Sequence, residues 1–277
     1  MNILIVGTGH MGQILEKELS GKLCKKRIQE MTSEDIRGFD VVVNTAGKTD
    51  LPYCENNPLD AFENNVQAPL MLLRMCQNEL ANLIHFSSGC IWKGPYNASG
   101  SPFSPESPPT PACFYSWTKA AAEAMLLKEA FVGLHILRPR QVFSSSVSPR
   151  NTLTKLLRYP DLLDTPNSMT SDATIVKAIK RICADKLEFK SKRVWNLYDI
   201  GVTSPYKVGM MLHDAGLRLA PKILEKNALD SWHKPQRVDA VMCDIYMEKF
   251  VEPGIIEGEL NKAINGLVKN LNGATIK

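Results

Sequence analysis

The run Asn2-Ile3-Leu4-Ile5-Val6 stops at Gly7-Thr8-Gly9-His10-Met11-Gly12, and a stripe of apolar residues at 11, 14, 15 and 19 begins at once. An unbroken apolar run of this length fits a strand buried on both faces, and the spacing after it fits a helix. The three glycines therefore fall at a strand-to-helix turn. There the missing side chains let the backbone approach a pyrophosphate, whose charge is met by free amides at the helix start. The alternative is a plain tight turn. Gly7, Gly9, His10, Met11 and Gly12 are the candidate contacts to a dinucleotide.

The chain continues in the same rhythm. Asp40-Val41-Val42-Val43 and Leu83-Ile84-His85-Phe86 are strands, Leu134 to Pro139 is another, and Val194-Trp195-Asn196-Leu197 rejoins the sheet. Between them Pro58 to Asn78 reads as helix, with Pro69 tolerable only as a restart or a kink. Alternation of this kind predicts an α/β fold, a Rossmann-type doubly wound parallel sheet. The dinucleotide-binding part spans residues 1–143. From about Ser144 polar loops and short helices mark a smaller C-terminal lobe, residues 144–277, that covers the substrate.

Dinucleotide sites commonly place an acidic residue about 20 positions after the glycines, on the ribose hydroxyls. Here stand Lys25, Lys26 and Arg27. Cations there suit the 2′-phosphate of NADP(H) rather than NAD(H), and a solvated strand end is the competing reading. Ala46 and Gly47, at the end of the 40–43 strand, are small enough for a cofactor to lie against their backbone. Ser87, Ser88 and Cys90 follow the 83–86 strand, at the edge where such sheets bind ligands.

Five prolines between 102 and 111 stiffen a loop that ends at Phe114-Tyr115-Ser116-Trp117-Thr118-Lys119. Tyr115 and Lys119 lie four apart on a helix, so their heads share one face. A free phenol, with a pKa of about 10, is a poor acid-base group at neutral pH unless a cation stabilises its anion. Lys119 can supply that cation. Taken alone, the pair is more often a half-buried aromatic beside a solvated lysine.

Composition narrows the function classes. A chain of 277 residues with 44% hydrophobic residues can bury a real core, and its net charge of +4 is spread without a basic run. Neither nucleic acid nor a membrane is expected as a partner. Seven cysteines form no close pair, five histidines show no metal spacing, and no secretory leader is read. Cytoplasmic, reduced thiols and no metal are the expectation. A homodimer through the helices flanking the sheet is compatible with the pattern.

With the N-terminal glycines, Ser88 at a strand end, and Tyr115 and Lys119 on the next helix, the chain resembles an extended short-chain dehydrogenase/reductase. The strings Ser88-Gly89-Cys90-Ile91-Trp92, Arg150-Asn151 with Lys155, Arg158-Tyr159, and Pro166-Asn167-Ser168-Met169-Thr170 narrow this. They resemble the nucleotide-sugar 3,5-epimerase/4-reductases, or rhamnose synthases, relatives of the dTDP-4-dehydrorhamnose reductases. The likeness runs from Ile3 to about Met211.

The resemblance implies an oxidoreductase that takes a nucleotide-linked 4-keto-6-deoxy sugar, epimerises it at C3, C5 or both, and reduces it at C4. It assigns the epimerising base and acid to Cys90 and Lys155, and the reduction to Ser88, Tyr115 and Lys119. Tyr115 delivers the proton, while Lys119 lowers its pKa and holds the nicotinamide ribose. Free cysteine and lysine titrate at about 8.5 and 10.4, so both need tuning by burial or a charged neighbour. Arg138 is a further candidate contact to the cofactor. Ser88, Arg150, Asn151 and Arg237 are candidate contacts to the substrate, the arginines on its diphosphate. Without the resemblance, Cys90 is a small buried hydrophobe and Lys155 a surface charge. A simple reductase with Cys90 idle, or a non-catalytic NADP-binding regulatory subunit, are the rival readings; the complete Ser88, Tyr115 and Lys119 set argues against the second.

Overall fold

Every strand expected from the sequence enters one six-stranded, wholly parallel sheet. In chain order its strands are β1 (Ile3–Val6), β2 (Lys22–Cys24), β3 (Val41–Asn44), β4 (Asn82–Phe86), β5 (Leu134–Pro139) and β7 (Val194–Leu197), with spatial order β2-β1-β3-β4-β5-β7. The computed structural model describes residues 1–184, 193–225 and 239–274. After β2 the chain crosses β1 to add β3 on the far side. Such a reversal opens a crevice between the C-terminal ends of β1 and β3, the position where open α/β sheets bind ligands.

Strand alternation sorts the core into two layers. Ile3, Ile5, Val41, Val43 and Ile84 face one side, where they pack with Leu15 of α1 (His10–Leu19), Ile175 and Ile179 of α7 (Asp172–Ala184), and Met247 and Val251 of α9 (Ile245–Val251). Leu4, Val6, Val42, Leu83 and Ile136 face the other, against Leu72, Leu73 and Cys76 of α4 (Ala68–Asn78) and Leu126 of α5 (Phe114–Lys128). The helices therefore cover both faces of the sheet, as a parallel sheet requires.

Pro69 marks a restart. Ahead of it come α2 (Leu51–Asn56), α3 (Pro58–Phe62) and a π-helical turn, Glu63–Gln67, from which α4 resumes with Pro69 in its first turn. Beyond β5, a separate apolar cluster joins Leu153 and Leu156 of α6 (Thr152–Leu156), Val208 and Leu212 of α8 (Pro205–Asp214), and Leu260, Ile264 and Leu267 of α10 (Ile256–Ala274). Two short strands, β6 (Asp161–Leu162) and β8 (Lys222–Ile223), pair in parallel beside it. Among the described residues no helix is long and apolar enough to cross a membrane, and no three His, Cys, Asp or Glu side chains gather as a metal site. All seven cysteines are free thiols.

Candidate active site

The three glycines of the first turn each have a distinct reason. Gly7 has φ +113°, and a Cβ there would lie 2.6 Å from the Ala46 amide nitrogen. At Gly12 it would lie 1.8 Å from the Gly7 carbonyl oxygen, so α1 can press on the loop only without a side chain. At Gly9 it would meet nothing within 4 Å. That open space lies at the start of α1, whose amides receive no side-chain cap. A tight turn, an open approach and a close helix contact are the three demands of a pyrophosphate cradle, so the residues present fit a dinucleotide. A groove continues from Gly7 and Gly9 past Lys25, Lys26 and Arg27, bounded opposite by Thr45, Ala46 and Gly47.

Beside this groove α5 brings in Tyr115 and Lys119. The prolines ahead cannot extend the helix, and the Glu55 carboxylate of α2 accepts from the Phe114 amide (2.7 Å), which fixes Tyr115 in the first turn. Lys119 is 3% exposed and donates from Nζ to the Phe86 carbonyl oxygen at 2.8 Å. Burial brings its ammonium down to about 8, against the opposing pull of Glu123 and Cys54. Tyr115 is 7% exposed. Burial, and after it the neighbouring Cys90, raises its phenol above the ordinary range, with the Ser88 hydrogen bond opposing. Burial thus holds the Tyr115 phenol protonated, where the resemblance implied a phenol lowered by Lys119.

Ser88 caps the turn Gly89–Ile91 by accepting from the Cys90 amide at 3.1 Å, which leaves its own hydrogen free to donate. Cys90 is half-buried and packs against the cluster of Cys54, Ala61, Cys113 and Tyr115. The cation placed on its sulfur is Arg140, whose Nη1 donates to Sγ at 3.1 Å. Ser87, by contrast, donates to the buried Glu123 carboxylate and is structural.

These residues form one site at the C-terminal ends of β1, β3 and β4. A family model described as the RmlD substrate binding domain matches residues 1–212. The chain belongs to that family.

A bifunctional dTDP-4-dehydrorhamnose 3,5-epimerase/dTDP-4-dehydrorhamnose reductase of Arabidopsis thaliana is 32% identical over 236 residues, 77% of this chain and 75% of that protein. A trifunctional UDP-glucose 4,6-dehydratase/UDP-4-keto-6-deoxy-D-glucose 3,5-epimerase/UDP-4-keto-L-rhamnose-reductase of the same plant is 32% identical over 229 residues, 74% of this chain. The chain spans only 32% of that larger relative's length. The crystal structure of the L780 UDP-rhamnose synthase from Acanthamoeba polyphaga mimivirus shares the fold, with a TM-score of 0.84 over 96% of this chain and 99% of that one at 20% identity.

Within this RmlD-family site the remaining candidates sort by placement. His10 and Met11 open α1 as expected, and the Ser144 hydroxyl lies 3.4 Å from His10 Nε2. Burial and then the charge of Lys155 of α6 lower the pKa of the His10 imidazole. Arg150 reaches across to Thr49, just beyond Gly47, with Nη1 to Oγ1 3.2 Å. Asn151, expected on the substrate, is fully buried and spends its amide on the Ser144 and Ser146 carbonyls and on capping α6. Arg138, expected on the cofactor, is instead enclosed: Nε meets both Glu123 carboxylate oxygens at 3.0 and 3.1 Å, and its plane lies over Trp92. Its charge is consumed inside the protein. Arg237, and the Trp232-His233-Lys234 stretch beside it, lie outside the described residues.

Two residues escaped the sequence reading. Asn65, in the π-helical turn, is fully buried, accepts from the Lys48 amide (2.7 Å) and donates to the Lys48 carbonyl (2.9 Å) and to Thr118 Oγ1 (3.0 Å). It ties the Gly47 loop to α5; its only trace in sequence is the helix break ahead of Pro69. Arg140 is the other, hidden because its partners are 27 and 50 residues away in the chain.

Proposed function

We propose that this chain is a nicotinamide-dependent enzyme acting on a nucleotide-linked 4-keto-6-deoxy sugar, with epimerisation at C3, C5 or both followed by reduction at C4. The observation that carries the reading is the convergence of Ser88, Cys90, Tyr115 and Lys119 beside a glycine cradle with an uncapped helix start. When bound, the nicotinamide supplies the hydride that reaches C4. Gly7, Gly9 and Gly12 let the pyrophosphate approach, and Lys119 faces the ribose.

For epimerisation, the C4 ketone acidifies the neighbouring C–H bonds. Cys90 and Lys155 are assigned as base and acid on opposite faces of the sugar ring. Negative charge then collects on the C4 oxygen, where Ser88 and Tyr115 donate hydrogen bonds. For reduction, Tyr115 hands its proton to that oxygen, a task for which the raised phenol suits it at neutral pH. Arg150 is assigned to the substrate diphosphate.

NADP(H) is proposed over NAD(H). Lys25 and Arg27 line the groove, which among the described residues is lined by no Asp or Glu, while Lys26 is occupied by Asp35 at 2.6 Å.

The test is a single incubation in deuterated water with NADPH and UDP- or dTDP-4-keto-6-deoxyglucose, following cofactor oxidation and product mass together. The expected result is oxidation with deuterium at C3 and C5, and loss of that label in Cys90→Ala. Oxidation without label would leave a simple reductase, and consumption of neither substrate would remove the enzymatic reading.

A further inference from the structure

A thiol is a weak hydrogen-bond acceptor, yet a fully buried arginine is aimed at one here. Arg140 is 1% exposed, and its Nη1 lies 3.1 Å from Cys90 Sγ and 3.3 Å from the Gly89 carbonyl oxygen. We propose that Arg140 is a positioning residue for Cys90, holding the sulfur in place and balancing the negative charge it carries as a base. The catalytic use of this contact rests on the epimerase reading above; the contact itself does not.

The surroundings are built to aim that guanidinium. Its Nε donates to Asn167 Oδ1 at 2.6 Å, and its main-chain amide donates to Thr170 Oγ1 at 2.9 Å. Asn167 in turn donates to the buried carboxylate of Asp239 at 2.9 Å, and Thr170 donates to the Leu197 carbonyl at 2.6 Å. Thus the string Pro166-Asn167-Ser168-Met169-Thr170 forms the rear wall that orients Arg140. Gly89 opens the front. A Cβ there would fall 2.6 Å from Met242 Sδ and 3.2 Å from the Arg140 Cβ, so any side chain would push the arginine off the sulfur. Arg138, two residues earlier, is neutralised by its own carboxylate, Glu123. A planar fork spreads donors from Nε to Nη1 and meets the Asn167 oxygen, the Gly89 carbonyl and the sulfur in one fixed geometry, whereas an ammonium offers its donors from a single point.

The step balances simply. The sulfur has released its own proton to solvent. The C–H bond beside the ketone breaks, an S–H bond forms, and the freed electron pair moves through the new C–C double bond onto the C4 oxygen. Charge leaves the sulfur next to Arg140 and arrives beside Ser88 and Tyr115.

The experiment measures iodoacetamide alkylation of Cys90 in the full chain, located by peptide mass. In the unaltered protein Cys90 is expected to react faster than Cys243, which is also half-buried but whose thiol is raised by burial and then by the carboxylate of Asp244. Arg140→Met is expected to slow Cys90 at neutral pH by about tenfold or more, the size of one hydrogen bond to a charged group. Arg140→Lys is expected to recover part of that loss. A folded Arg140→Met protein that alkylates at the unaltered rate overturns the proposal. Should that variant not fold, the unaltered protein decides: Cys90 reacting no faster than Cys243 also overturns it. Rapid, Arg140-dependent alkylation without deuterium uptake would keep this inference and remove the epimerase reading. Deuterium uptake undiminished in Arg140→Met would do the reverse.

Discussion

Lys119 sets its ammonium 2.8 Å from the main-chain carbonyl oxygen of Phe86, where β4 gives way to the Ser88 turn. The charge is thereby fixed at the mouth of the site, and desolvation brings its pKa from 10.5 down to about 8. Activity is expected to fall as pH rises through about 8, as the ammonium loses its proton. The stability effect has the opposite sign. Between about 8 and 10.5 the unfolded chain binds a proton that the folded chain does not, so stability rises with pH in that window. Relative to Lys119→Met, the unaltered protein should gain a few kcal/mol across it, since each pKa unit corresponds to about 1.4 kcal/mol. Thermal melts of both proteins at pH 7 and pH 10 check this; a constant gap between them would refute it.

Gly9 and Gly12 are expected to part company when each is changed to alanine. The added methyl of Gly12→Ala would lie 1.8 Å from the Gly7 carbonyl oxygen, and α1 must move off β1 or the loop must break. A loss of several kcal/mol, within the range seen for overpacking or more, should appear as a large drop in Tm. Gly9→Ala meets open space and should melt as the parent does. Its methyl would occupy the approach to the pyrophosphate, so NADPH affinity measured by nicotinamide fluorescence should fall by about tenfold or more. Equal melting losses in both variants would contradict the division of labour.

The parts of the fold that were legible are those in which a local signal and the tertiary demand agree. The β1-glycine-α1 unit, the apolar strands and the Tyr115 helix carry their own periodicity, and each lies where that periodicity put it. Lys25 to Arg27 read equally as a cofactor clamp or a strand end, and they turn out to follow a three-residue strand and to line the groove. Less visible was the β6–β8 pair, which forms between segments far apart in the chain, whereas α7 carries a helical apolar spacing at 175, 176, 179 and 182 that the sequence reading passed over. The site divides in the same way. Arg138 and Arg140 flank Pro139 and look alike in sequence, yet Glu123 takes one inward and Asn167 turns the other to Cys90. Nothing within a few residues of either arginine encodes that choice.

Cofactor choice gives a sharper test of the groove. Lys26 is bound to Asp35 at 2.6 Å, whereas Lys25 and Arg27 line a groove whose wall, among the described residues, carries no Asp or Glu. Lys25→Ala and Arg27→Ala are expected to weaken NADPH by about fivefold to tenfold each while leaving NADH nearly unchanged, because only the former carries a 2′-phosphate. Lys26→Ala should have a smaller effect on the ratio. Parallel titrations with both nucleotides decide the matter, and equal losses for NADH and NADPH would assign these cations to the shared pyrophosphate.

Glu123 links the buried frame to the chemistry. Its carboxylate holds Arg138 with Nη2 to Oε2 2.5 Å, accepts from Ser87, and is the largest influence raising the pKa of Lys119 against desolvation. Glu123→Gln keeps the shape and removes the charge. Arg138 would then be a buried cation without its anion, and breaking one side of such a pair costs about 3–5 kcal/mol. At the same time the larger of the two charges that favour protonated Lys119 disappears. The variant should therefore melt lower and, where it remains folded, lose activity at a lower pH than the parent. The two effects separate in a double variant, Glu123→Gln with Arg138→Met, which removes the stranded cation. Its stability is expected to recover in part, but the alkaline limb of its pH-rate profile should stay displaced, since nothing has been returned to Lys119. An alkaline limb that recovers along with stability would mean that Glu123 acts on the site through packing alone.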